Sequence, residues 1–410
     1  MRFESIMASR FIRSNPYKNT ISAPIIKISI LSIVLGLVMM LITISSGVGL
    51  QKTIQNKISS FFGHISISNF QNNSSQSSLQ PILIDQDFYR NQNNKDITHI
   101  QAVAYKSGLI VTKTTFEGVI FKGIGSDYNY DIFNPYLIEG EIPLYNDEVS
   151  NEVIISQFLS ERLSIKLYDK FKATFFKDNS FSIPNERVFK VVGIYNSGLI
   201  EFDQLYFLGD IKHIQRMNKW SENQVGNFEV FINEFDKIDY VSDNLYINTP
   251  SELDVQPISQ KFLDIFNWIA LFDMNILVII IIMTLVGGIN MITALLVTIL
   301  EKTQIIGVLK VLGASNRSIR YIFISNGIYL ISVGLFIGNI VGLGLIFFQK
   351  ITGFLKLDSQ TYYVSEVPLD VNIFSIIILN LGVLFFCLIM LIIPSFIITR
   401  ISPTESLKIK

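Results

Sequence analysis

Few residues in this chain are of the types that most often bind metals or act as nucleophiles, and their spacing does not form a recognisable motif. His64, His99 and His213 lie far apart along the sequence and show no spacing typical of a metal site. Cys387 is the only cysteine, so an internal disulfide is excluded. The stretch 307–313 begins and ends with glycine but lacks the Lys-Ser or Lys-Thr pair of a phosphate-binding loop. The sequence therefore predicts a chain that is not an enzyme and holds no metal or cofactor of its own.

Four runs without Asp, Glu, Lys or Arg divide the chain. They are 24, 27, 29 and 29 residues long and lie between Lys27 and Lys52, Asp273 and Glu301, Arg320 and Lys350, and Asp370 and Arg400. A helix crosses about 30 Å of hydrocarbon with about 20 apolar residues. The sequence therefore predicts four transmembrane helices, at 28–50, 274–300, 321–348 and 371–399.

The charges of the connecting segments predict which side of the membrane each one faces. The N-terminal segment 1–27, the loop 301–320 and the tail 400–410 carry net charges of +4, +3 and +2. Positive segments stay in the cytoplasm, so we expect all three there, with both chain ends inside. The segment 51–273, with a net charge of −9, and the loop 349–370, with −1, are expected outside. The first apolar run is too long for a signal-peptide core, so we expect a retained span.

Residues 51–273 are predicted to form one extracytoplasmic α+β domain between the first and second spans. Short β-branched or aromatic runs bounded by turn residues predict strands at 65–68, 108–111, 119–121, 189–192, 204–208 and 228–232. Helices are predicted at 152–167 and 211–220, and the polar run 69–80 predicts a mobile loop. The predicted fold class is an integral membrane protein with four transmembrane α-helices and one large α+β domain.

Small residues in the spans recur at the spacing that close helix packing requires. Membrane helices approach one another closely where small residues repeat every four positions. Gly334, Gly338 and Gly342 do so in the third span, and Ser32 and Gly36 do so in the first. We interpret both sets as helix-packing surfaces, with a substrate groove as the alternative.

The 301–320 loop combines a short amphipathic helix, a Gly-Ala break and a basic approach to the third span. It resembles the coupling loop of FtsX-like ABC permeases, which docks on a separate ATPase. By this resemblance, the coupling residues are Glu301, Ile305, Ile306, Gly307, Leu309, Gly313 and Ala314.

Further segments extend this resemblance along the chain. Ile-Glu-Gly-Glu-Ile-Pro at 138–143 and Val-Val-Gly-Ile-Tyr at 191–195 are similar to successive elements of the MacB-like periplasmic core domain. The glycine-to-aspartate turn at 198–203 and Thr-Tyr-Tyr-Val at 361–364 resemble segments of lipoprotein-releasing permeases of the LolC/LolE type. The whole pattern is similar to that type within the FtsX-like/MacB-like permease family.

The resemblance implies the partners, cofactors and location of such a subunit. The partners implied are two copies of an ABC ATPase that binds ATP and Mg²⁺, a second permease subunit that is identical or homologous, a lipoprotein substrate and a periplasmic lipoprotein carrier. The location implied is the bacterial inner (cytoplasmic) membrane, with the large domain in the periplasm. Nucleic-acid binding is not expected, since the largest segment outside the spans is acidic.

The resemblance also implies two sets of binding residues. An apolar lipoprotein cavity between the first and second spans of two subunits would be lined by Val38, Met39, Met40, Ile42, Phe266, Ile269 and Leu277. The hook that recruits the carrier corresponds to a short stretch containing Pro184 and Arg187, for which a plain hairpin turn is the alternative.

Two other functions remain open at this point. A MacB-type efflux permease shares most of these segments but usually lacks the 361–364 loop. An FtsX-like regulator, which passes ATPase motion to an extracytoplasmic hydrolase, normally has a much smaller outer domain.

Overall fold

The computed structural model describes residues 22–73, 75–84, 95–112, 115–146, 148–176 and 184–400. The chain divides into two compact units. The membrane unit comprises the chain up to Gln51, Trp268–Lys356 and the residues from Glu366 onward. The α+β unit comprises Lys52–Asn267 and Leu357–Ser365.

The described part of the chain combines long and short helices with mostly short strands. The helices are α1 (Ser22–Phe62), α2 (Tyr130–Phe133), α3 (Gln157–Leu163), α4 (Ile200–Leu205), α5 (Lys212–Asn218), α6 (Ile238–Asn248), α7 (Ile258–Lys261), α8 (Leu263–Glu301), α9 (Thr303–Val311), α10 (Asn316–Thr352), α11 (Ser359–Tyr362), α12 (Ile373–Ser395) and α13 (Ile397–Arg400). The strands are β1 (Ile65–Asn69), β2 (Ile82–Leu83), β3 (Ile97–Val111), β4 (Phe116–Ile124), β5 (Leu137–Gly140), β6 (Glu152–Ser156), β7 (Lys170–Phe175), β8 (Asn185–Tyr195), β9 (Tyr206–Asp210), β10 (Gln224–Val225), β11 (Asn227–Ile232) and β12 (Leu253–Pro257).

Four of the described helices, α1, α8, α10 and α12, are long and apolar enough to cross a membrane. Two of them extend well beyond the predicted spans, because α1 continues to Phe62 and α8 already begins at Leu263. The predicted ends lie near the first charged residues, Lys52 and Asp273. A charge limits the stretch that hydrocarbon can cover, whereas a helix continues through it once it is in water.

Glycines on α10 bring this helix close to α1. Each of three glycines faces an apolar residue of α1 at a distance that leaves no room for a Cβ atom: Gly334 faces Ile33, Gly338 faces Leu37 and Gly342 faces Leu41. Both sets recur every four residues, so two complementary ridges meet.

Side-chain hydrogen bonds join other pairs of spans in the membrane unit. Asn290 Nδ2 of α8 donates to Ser32 Oγ of α1 at 2.5 Å. Asn339 of α10 and Asn380 of α12 donate to each other's amide oxygens at 2.7 and 3.1 Å. Gly36 lies on the α1 face that contacts α8, close to Met283. Hydrogen bonds of this kind contribute about 1 kcal/mol each between membrane helices.

A mixed sheet forms the centre of the α+β unit. Its strand order is β12-β1-β11-β3-β4-β9-β6-β8-β5, and β7 pairs with β3 and β8. The β4–β9 and β6–β8 pairs are parallel, and the other strand pairs are antiparallel. Phe121 and Phe207 stack with ring centroids 4.8 Å apart, and Phe189 contacts both. The architecture confirms the predicted fold class, four membrane helices with an α+β domain.

Three segments of the α+β unit differ from the expectation. In the first, Gln204 and Leu205 of the predicted strand 204–208 belong to helix α4, and the strand begins at Tyr206. Residues 152–156 form strand β6, and only 157–163 of the predicted helix 152–167 are helical. Strand pairing with β8 and β9 buries the apolar residues of β6, and this packing overrides the helical pattern. The polar run 69–80 is anchored where it is described, since Asn72 Oδ1 accepts from the backbone amides of Leu79 and Gln80.

Candidate functional site

The loop between α8 and α10 contains a nine-residue helix, α9, with one buried and one exposed apolar face. Ile306 and Leu309 point inward and are 0% and 7% exposed. Ile305 and Val308 are 40% and 47% exposed, and Leu312 just after the helix is 77% exposed. Their spacing of three and then four residues places these three on one side of the helix. We call Ile305, Val308 and Leu312 the coupling stripe.

Contacts at its C-terminal end hold α9 in place. Lys310 Nζ donates to the backbone oxygen of Ile398 in α13 at 2.8 Å. Gly313 has φ of +88°, a conformation that glycine adopts without strain and that ends the segment. The side chain of Ser315 then accepts from Ser318 N and caps α10. The coupling stripe is therefore presented by a fixed helix.

The remaining predicted coupling residues lie around this helix. Glu301 is exposed at the end of α8, Gly307 lies on the buried face of α9, and Ala314 packs against the core of the membrane unit. Arg320 at the start of α10 places its guanidinium 4.9 Å above the ring of Phe396. The seven predicted coupling residues therefore lie in or beside this loop, but only some of them are exposed.

A second cluster forms in the α+β unit, where two segments singled out in the sequence meet. Lys57 Nζ, near the end of α1, donates to the backbone oxygen of Tyr363 at 2.8 Å. Tyr363 Oη donates to Glu201 Oε1 at 3.1 Å. Gly198 has φ of +68°, and a Cβ atom there would lie 2.6 Å from Lys57 Nζ. The 361–364 loop and the 198–203 turn are therefore neighbours around one lysine.

Asp203 fixes the turn from inside. Its carboxylate accepts hydrogen bonds from the Ser197 hydroxyl at 2.7 Å and from the backbone amides of Ser197 and Gly198 at 3.1 Å. Burial raises the pKa of Asp203, although these hydrogen bonds and Lys57 oppose the shift. Burial likewise lowers the pKa of Lys57, and the charge of Asp203 opposes this. These hydrogen bonds hold the 198–203 turn and the 361–364 loop together.

A buried charge network, which the sequence did not predict, links three neighbouring strands of the sheet. Lys122 on β4 donates to Glu229 on β11 at 2.7 and 3.0 Å, and both side chains are almost fully buried. Between them on β3, Tyr105 Oη and Gln101 Nε2 also donate to Glu229, at 2.6 and 2.8 Å. Lys122 Nζ donates in addition to the backbone oxygen of Phe61, at the end of α1.

The signal for this network was a charged residue inside each of two otherwise apolar strands, Phe-Lys-Gly-Ile and Phe-Glu-Val-Phe. Their pairing depends on strand order, which one sequence does not give. Burial lowers the pKa of Lys122, and the charge of Glu229 opposes this shift. Among the described residues, no three His, Cys, Asp or Glu side chains come together as a metal site.

Three of the predicted cavity residues lie inside the helix packing of the membrane unit or at its edge. Val38 is buried where α1 meets Gly342 of α10. Met40 is 2% exposed, and its sulfur lies 3.8 Å from the hydroxyl of Thr284 on α8. Ile42 is partly buried against the same core. A ligand would reach Val38 or Met40 only if the helices separated.

The other predicted cavity residues have different surroundings. Met39 and Leu277 are 47% and 51% exposed, so both present apolar surface outside the packing. Ile269 is buried in the membrane unit, whereas Phe266 belongs to the α+β unit and stacks on Phe235 at 5.7 Å. The shared role of the seven residues stays a prediction.

The segment predicted as a hook lies at a β-hairpin. Strands β7 and β8 pair so that Phe175 faces Asn185 across the hairpin. Pro184 is exposed immediately before β8, and Arg187 lies within it. The residues 177–183 between the two strands lie outside the described part. Carrier binding by this hairpin stays a prediction.

Comparison with known protein families gives two matches that together span most of the chain. The profile of the MacB-like periplasmic core domain matches residues 28–264, more than half of the sequence. The profile of the FtsX-like permease C-terminal region matches residues 277–403. The first match covers α1 and the α+β unit up to α8, and the second covers α8 from residue 277 and the later spans.

Two known proteins are similar to this chain over nearly their whole length. The "Lipoprotein-releasing system transmembrane protein LolC" of Buchnera aphidicola subsp. Schizaphis graminum is 24% identical over 96% of both chains. The protein of the same name from Neisseria meningitidis serogroup B is 20% identical over 99% of both. Among solved structures, the periplasmic region of MacB from Actinobacillus actinomycetemcomitans aligns with 53% of this chain and 98% of its own, at 16% identity and a TM-score of 0.35.

Proposed function

Because this chain belongs to the FtsX-like permeases with a MacB-like periplasmic core domain, a family of ABC-transporter permease subunits, we propose that it releases lipoproteins from the membrane. The cargo would be an acylated protein whose lipid chains lie in the bilayer and whose polypeptide lies outside. The energy would come from a separate ATPase.

The coupling stripe is the observation that carries this proposal. Ile305 and Val308 expose apolar surface on a short helix between two spans, in a loop with a net charge of +3. If this loop lies in the cytoplasm, as its charge predicts, apolar surface exposed there supports a contact with another protein. An ATPase that docks on this stripe and changes shape would move α9 and, through it, the ends of α8 and α10.

The chemistry of the proposed cargo explains why such a motor is needed. Moving an acyl chain from lipid into water costs about 0.8 kcal/mol per methylene group. A diacyl or triacyl anchor therefore does not leave the membrane at a useful rate by itself. ATP hydrolysis by the partner ATPase supplies the free energy for extraction. An apolar surface on the permease lowers the free energy of the acyl chains while they are outside the bilayer.

The proposed orientation rests on the charges of the connecting segments, and the proposed partners rest on the family. The 301–320 loop and both chain ends face the cytoplasm of a bacterial inner membrane, and the α+β unit faces the periplasm. Two ATPase copies carry ATP and Mg²⁺, and a second permease, identical or homologous, completes the complex. The periplasmic carrier is a further partner whose contact through Pro184 and Arg187 is part of the proposal.

The ATPase contact is tested by placing a charge in the coupling stripe. Val308→Asp should remove the ATPase from the complex that co-purifies with the permease, because a carboxylate desolvated in an apolar interface is costly. Val188→Asp is the matched control, since Val188 is a valine of similar exposure, 54% against 47%, on strand β8. Equal recovery of ATPase with both variants would exclude the stripe as the docking surface.

The cargo route is tested at the exposed predicted cavity residue of the first span. Met39→Asp should abolish ATP-dependent release of an acylated substrate from proteoliposomes while the ATPase stays bound. Phe336→Asp on α10 is the control, because it also places a carboxylate on an exposed position of a span. If both variants release substrate equally well, or both fail equally, Met39 has no specific role in cargo release.

A further inference from the structure

A polar pocket of about 260 Å³ lies at the surface of the α+β unit, beside the buried charge network. Strands β1 and β12, helix α7 and residues 72–73 and 75–78 supply most of its lining. Every lining residue except Lys261 is a serine, tyrosine, asparagine or glutamine. The pocket therefore presents a single charged side chain among neutral hydroxyl and amide groups.

Strand pairing places the pocket and the charge network on the same face of the sheet. Gln256 of β12 pairs with Ser66 of β1, and Ser66 pairs with Glu229 of β11. Residues that pair across neighbouring strands point to the same face. Ser66 therefore lies between the pocket residue Gln256 and the network residue Glu229.

Among the described residues, two lysines meet at this face but share one carboxylate. Lys122 Nζ lies 5.9 Å from the ring centroid of Phe62 and 5.8 Å from that of Tyr105. Lys261 Nζ lies 5.3 and 5.7 Å from the same two centroids. Glu229 accepts from Lys122 at 2.7 and 3.0 Å. Lys261 forms no hydrogen bond or ion pair with any residue that the structure describes, so its charge has no counterion there.

The surroundings of Lys261 disfavour its charge in the absence of an anion. Burial lowers the pKa of the Lys261 ammonium, the charge of Glu229 opposes this shift, and the charge of Lys122 adds to it. Part of the Lys261 side chain is nevertheless exposed and lines the pocket, so a ligand from solvent can reach it. A negative charge in the pocket would stabilise the ammonium.

Two hydroxyl groups in the pocket add neutral donors to this ammonium. Tyr206 stacks on Phe202 with ring centroids 4.6 Å apart, which fixes the orientation of its ring. Burial raises the pKa of Tyr206 above its usual value, so the hydroxyl stays protonated and can donate. Neither Tyr206 Oη nor Ser66 Oγ forms a hydrogen bond with a residue in the described part of the chain.

Hydrogen bonds to the sheet hold another wall of the pocket in place. Ser78 Oγ donates to Asn227 Oδ1 at 3.0 Å and accepts from the backbone amide of Tyr105 at 3.0 Å. Ser77 Oγ accepts from the backbone amide of Ser107 at 2.9 Å. A site whose walls are already fixed loses less conformational entropy when a ligand binds.

The types of donor in the pocket favour a carboxylate as the ligand. A carboxylate carries one negative charge, and its two oxygens accept from ammonium and hydroxyl groups. Phosphate is more often bound by arginine or by the amides of a helix N-terminus, and the lining contains one lysine and no arginine. An apolar group would leave the hydroxyl and amide groups without partners, which is costly.

We propose that this pocket binds a carboxylate group, which pairs with Lys261 and accepts hydrogen bonds from Tyr206 and Ser66. The carboxylate belongs either to an acidic side chain of a polypeptide or to a small free acid, and both present the same group to Lys261. The site lies wholly within the α+β unit. It does not depend on the cargo proposed for the transporter.

The test is chemical labelling of lysines in the full-length permease, held in phosphatidylcholine nanodiscs. Reductive methylation with deuterated formaldehyde, quantified by peptide mass spectrometry, measures the reactivity of each amine. The peptide acetyl-Ser-Glu-Ser-amide should slow labelling of Lys261 severalfold, because a paired amine reacts less. Labelling of Lys219, an exposed lysine outside the pocket, should not change. Equal protection by acetyl-Ser-Gln-Ser-amide, or no protection by either peptide, would overturn the proposal.

Two further probes identify the source of the carboxylate and exclude another anion. Half-protection by acetate at the same concentration as by the glutamate peptide would support the carboxylate site and assign it to a small free acid. Half-protection by the peptide at a much lower concentration would support the site and assign it to a polypeptide. Protection by inorganic phosphate at lower concentrations than by either carboxylate would overturn the proposal.

Substitutions test the individual donors through the affinity for a fluorescent form of the glutamate peptide. Lys261→Gln should weaken binding by about tenfold or more, whereas Lys219→Gln should not. Tyr206→Phe keeps the ring that stacks on Phe202 and should weaken binding by about tenfold through the lost hydrogen bond. Tyr246→Phe, at an exposed tyrosine of α6, is its control. Unchanged affinity of Lys261→Gln would overturn the proposal, and the labelling experiment decides if that variant does not fold.

Discussion

At the scale of single residues, the most unusual feature is the ion pair of Lys122 and Glu229 in the middle of the α+β unit. Register pairing places Tyr105 beside Lys122 and Gln101 beside Glu229, so that the network crosses three strands. Lys122 also donates a hydrogen bond to a backbone oxygen in the last turn of α1. A positive charge is stabilising at this end of a helix, because the last carbonyl groups have no partner within the helix. The pair fixes the end of this helix on the sheet.

Removing one partner of this pair should be costly. Lys122→Met leaves the Glu229 carboxylate buried without its cation, which typically costs about 3–5 kcal/mol. We expect a clear fall in the unfolding temperature of the purified protein. The double variant Lys122→Met with Glu229→Gln should recover part of the loss, because neither position of the pair then carries a charge. A double variant less stable than Lys122→Met would contradict the charge argument.

His64 makes the stability of the α+β unit depend on pH. Burial lowers its pKa from 6.5 to about 4, and its Nδ1 accepts from the Ile232 amide at 3.3 Å. The unfolded chain therefore binds a proton at a higher pH than the folded chain does. The stabilisation is complete above pH 6.5 and is lost as the pH falls towards 4, by up to about 3 kcal/mol.

The matched variant for this prediction is His64→Gln, which keeps a hydrogen-bond acceptor and does not titrate. Denaturant unfolding of both proteins between pH 7 and pH 4.5 measures the difference. The unmodified chain should lose more stability over this range than the variant. Parallel curves would show that His64 is not the titrating group and would favour His213, whose pKa burial also lowers.

At the scale of elements, the sequence predicts best what depends on local pattern. The four spans follow from uncharged runs, and most predicted strands follow from β-branched runs between turns. The local pattern does not predict strand β6, because its burial between β8 and β9 is a tertiary effect. In α9, the sequence identifies the apolar positions, but only the structure separates exposed Val308 from buried Ile306. Packing of α9 against the rest of the membrane unit determines which of its apolar residues remain exposed.

The packing of α10 on α1 leads to a prediction with a close control. Gly338→Leu places a side chain where a Cβ atom already lies 2.9 Å from Leu37. We expect the helices to separate and the amount of folded, assembled complex to fall severalfold. Gly344→Leu, where a Cβ atom meets no neighbour, should assemble normally. Size-exclusion chromatography after mild detergent extraction compares the two, and equal assembly would show that the ridge is not a tight contact.

At the scale of the whole molecule, two helices contribute residues to both units. The helix α1 reaches from Ser22 to Phe62 across the boundary at Gln51, and α8 crosses near Trp268. In the proposed function, they are the continuous elements along which a push on α9 would be passed on.

The most direct test of the central claim is ATP-driven release of a lipoprotein by the reconstituted complex. Proteoliposomes would contain this permease, its ATPase, a second permease subunit and a triacylated substrate. We predict that ATP moves the substrate to the soluble fraction, that a non-hydrolysable analogue does not, and that Val308→Asp abolishes the transfer. ATP hydrolysis that responds to the permease while the acylated substrate stays in the membrane would contradict lipoprotein release and favour an efflux or regulatory role.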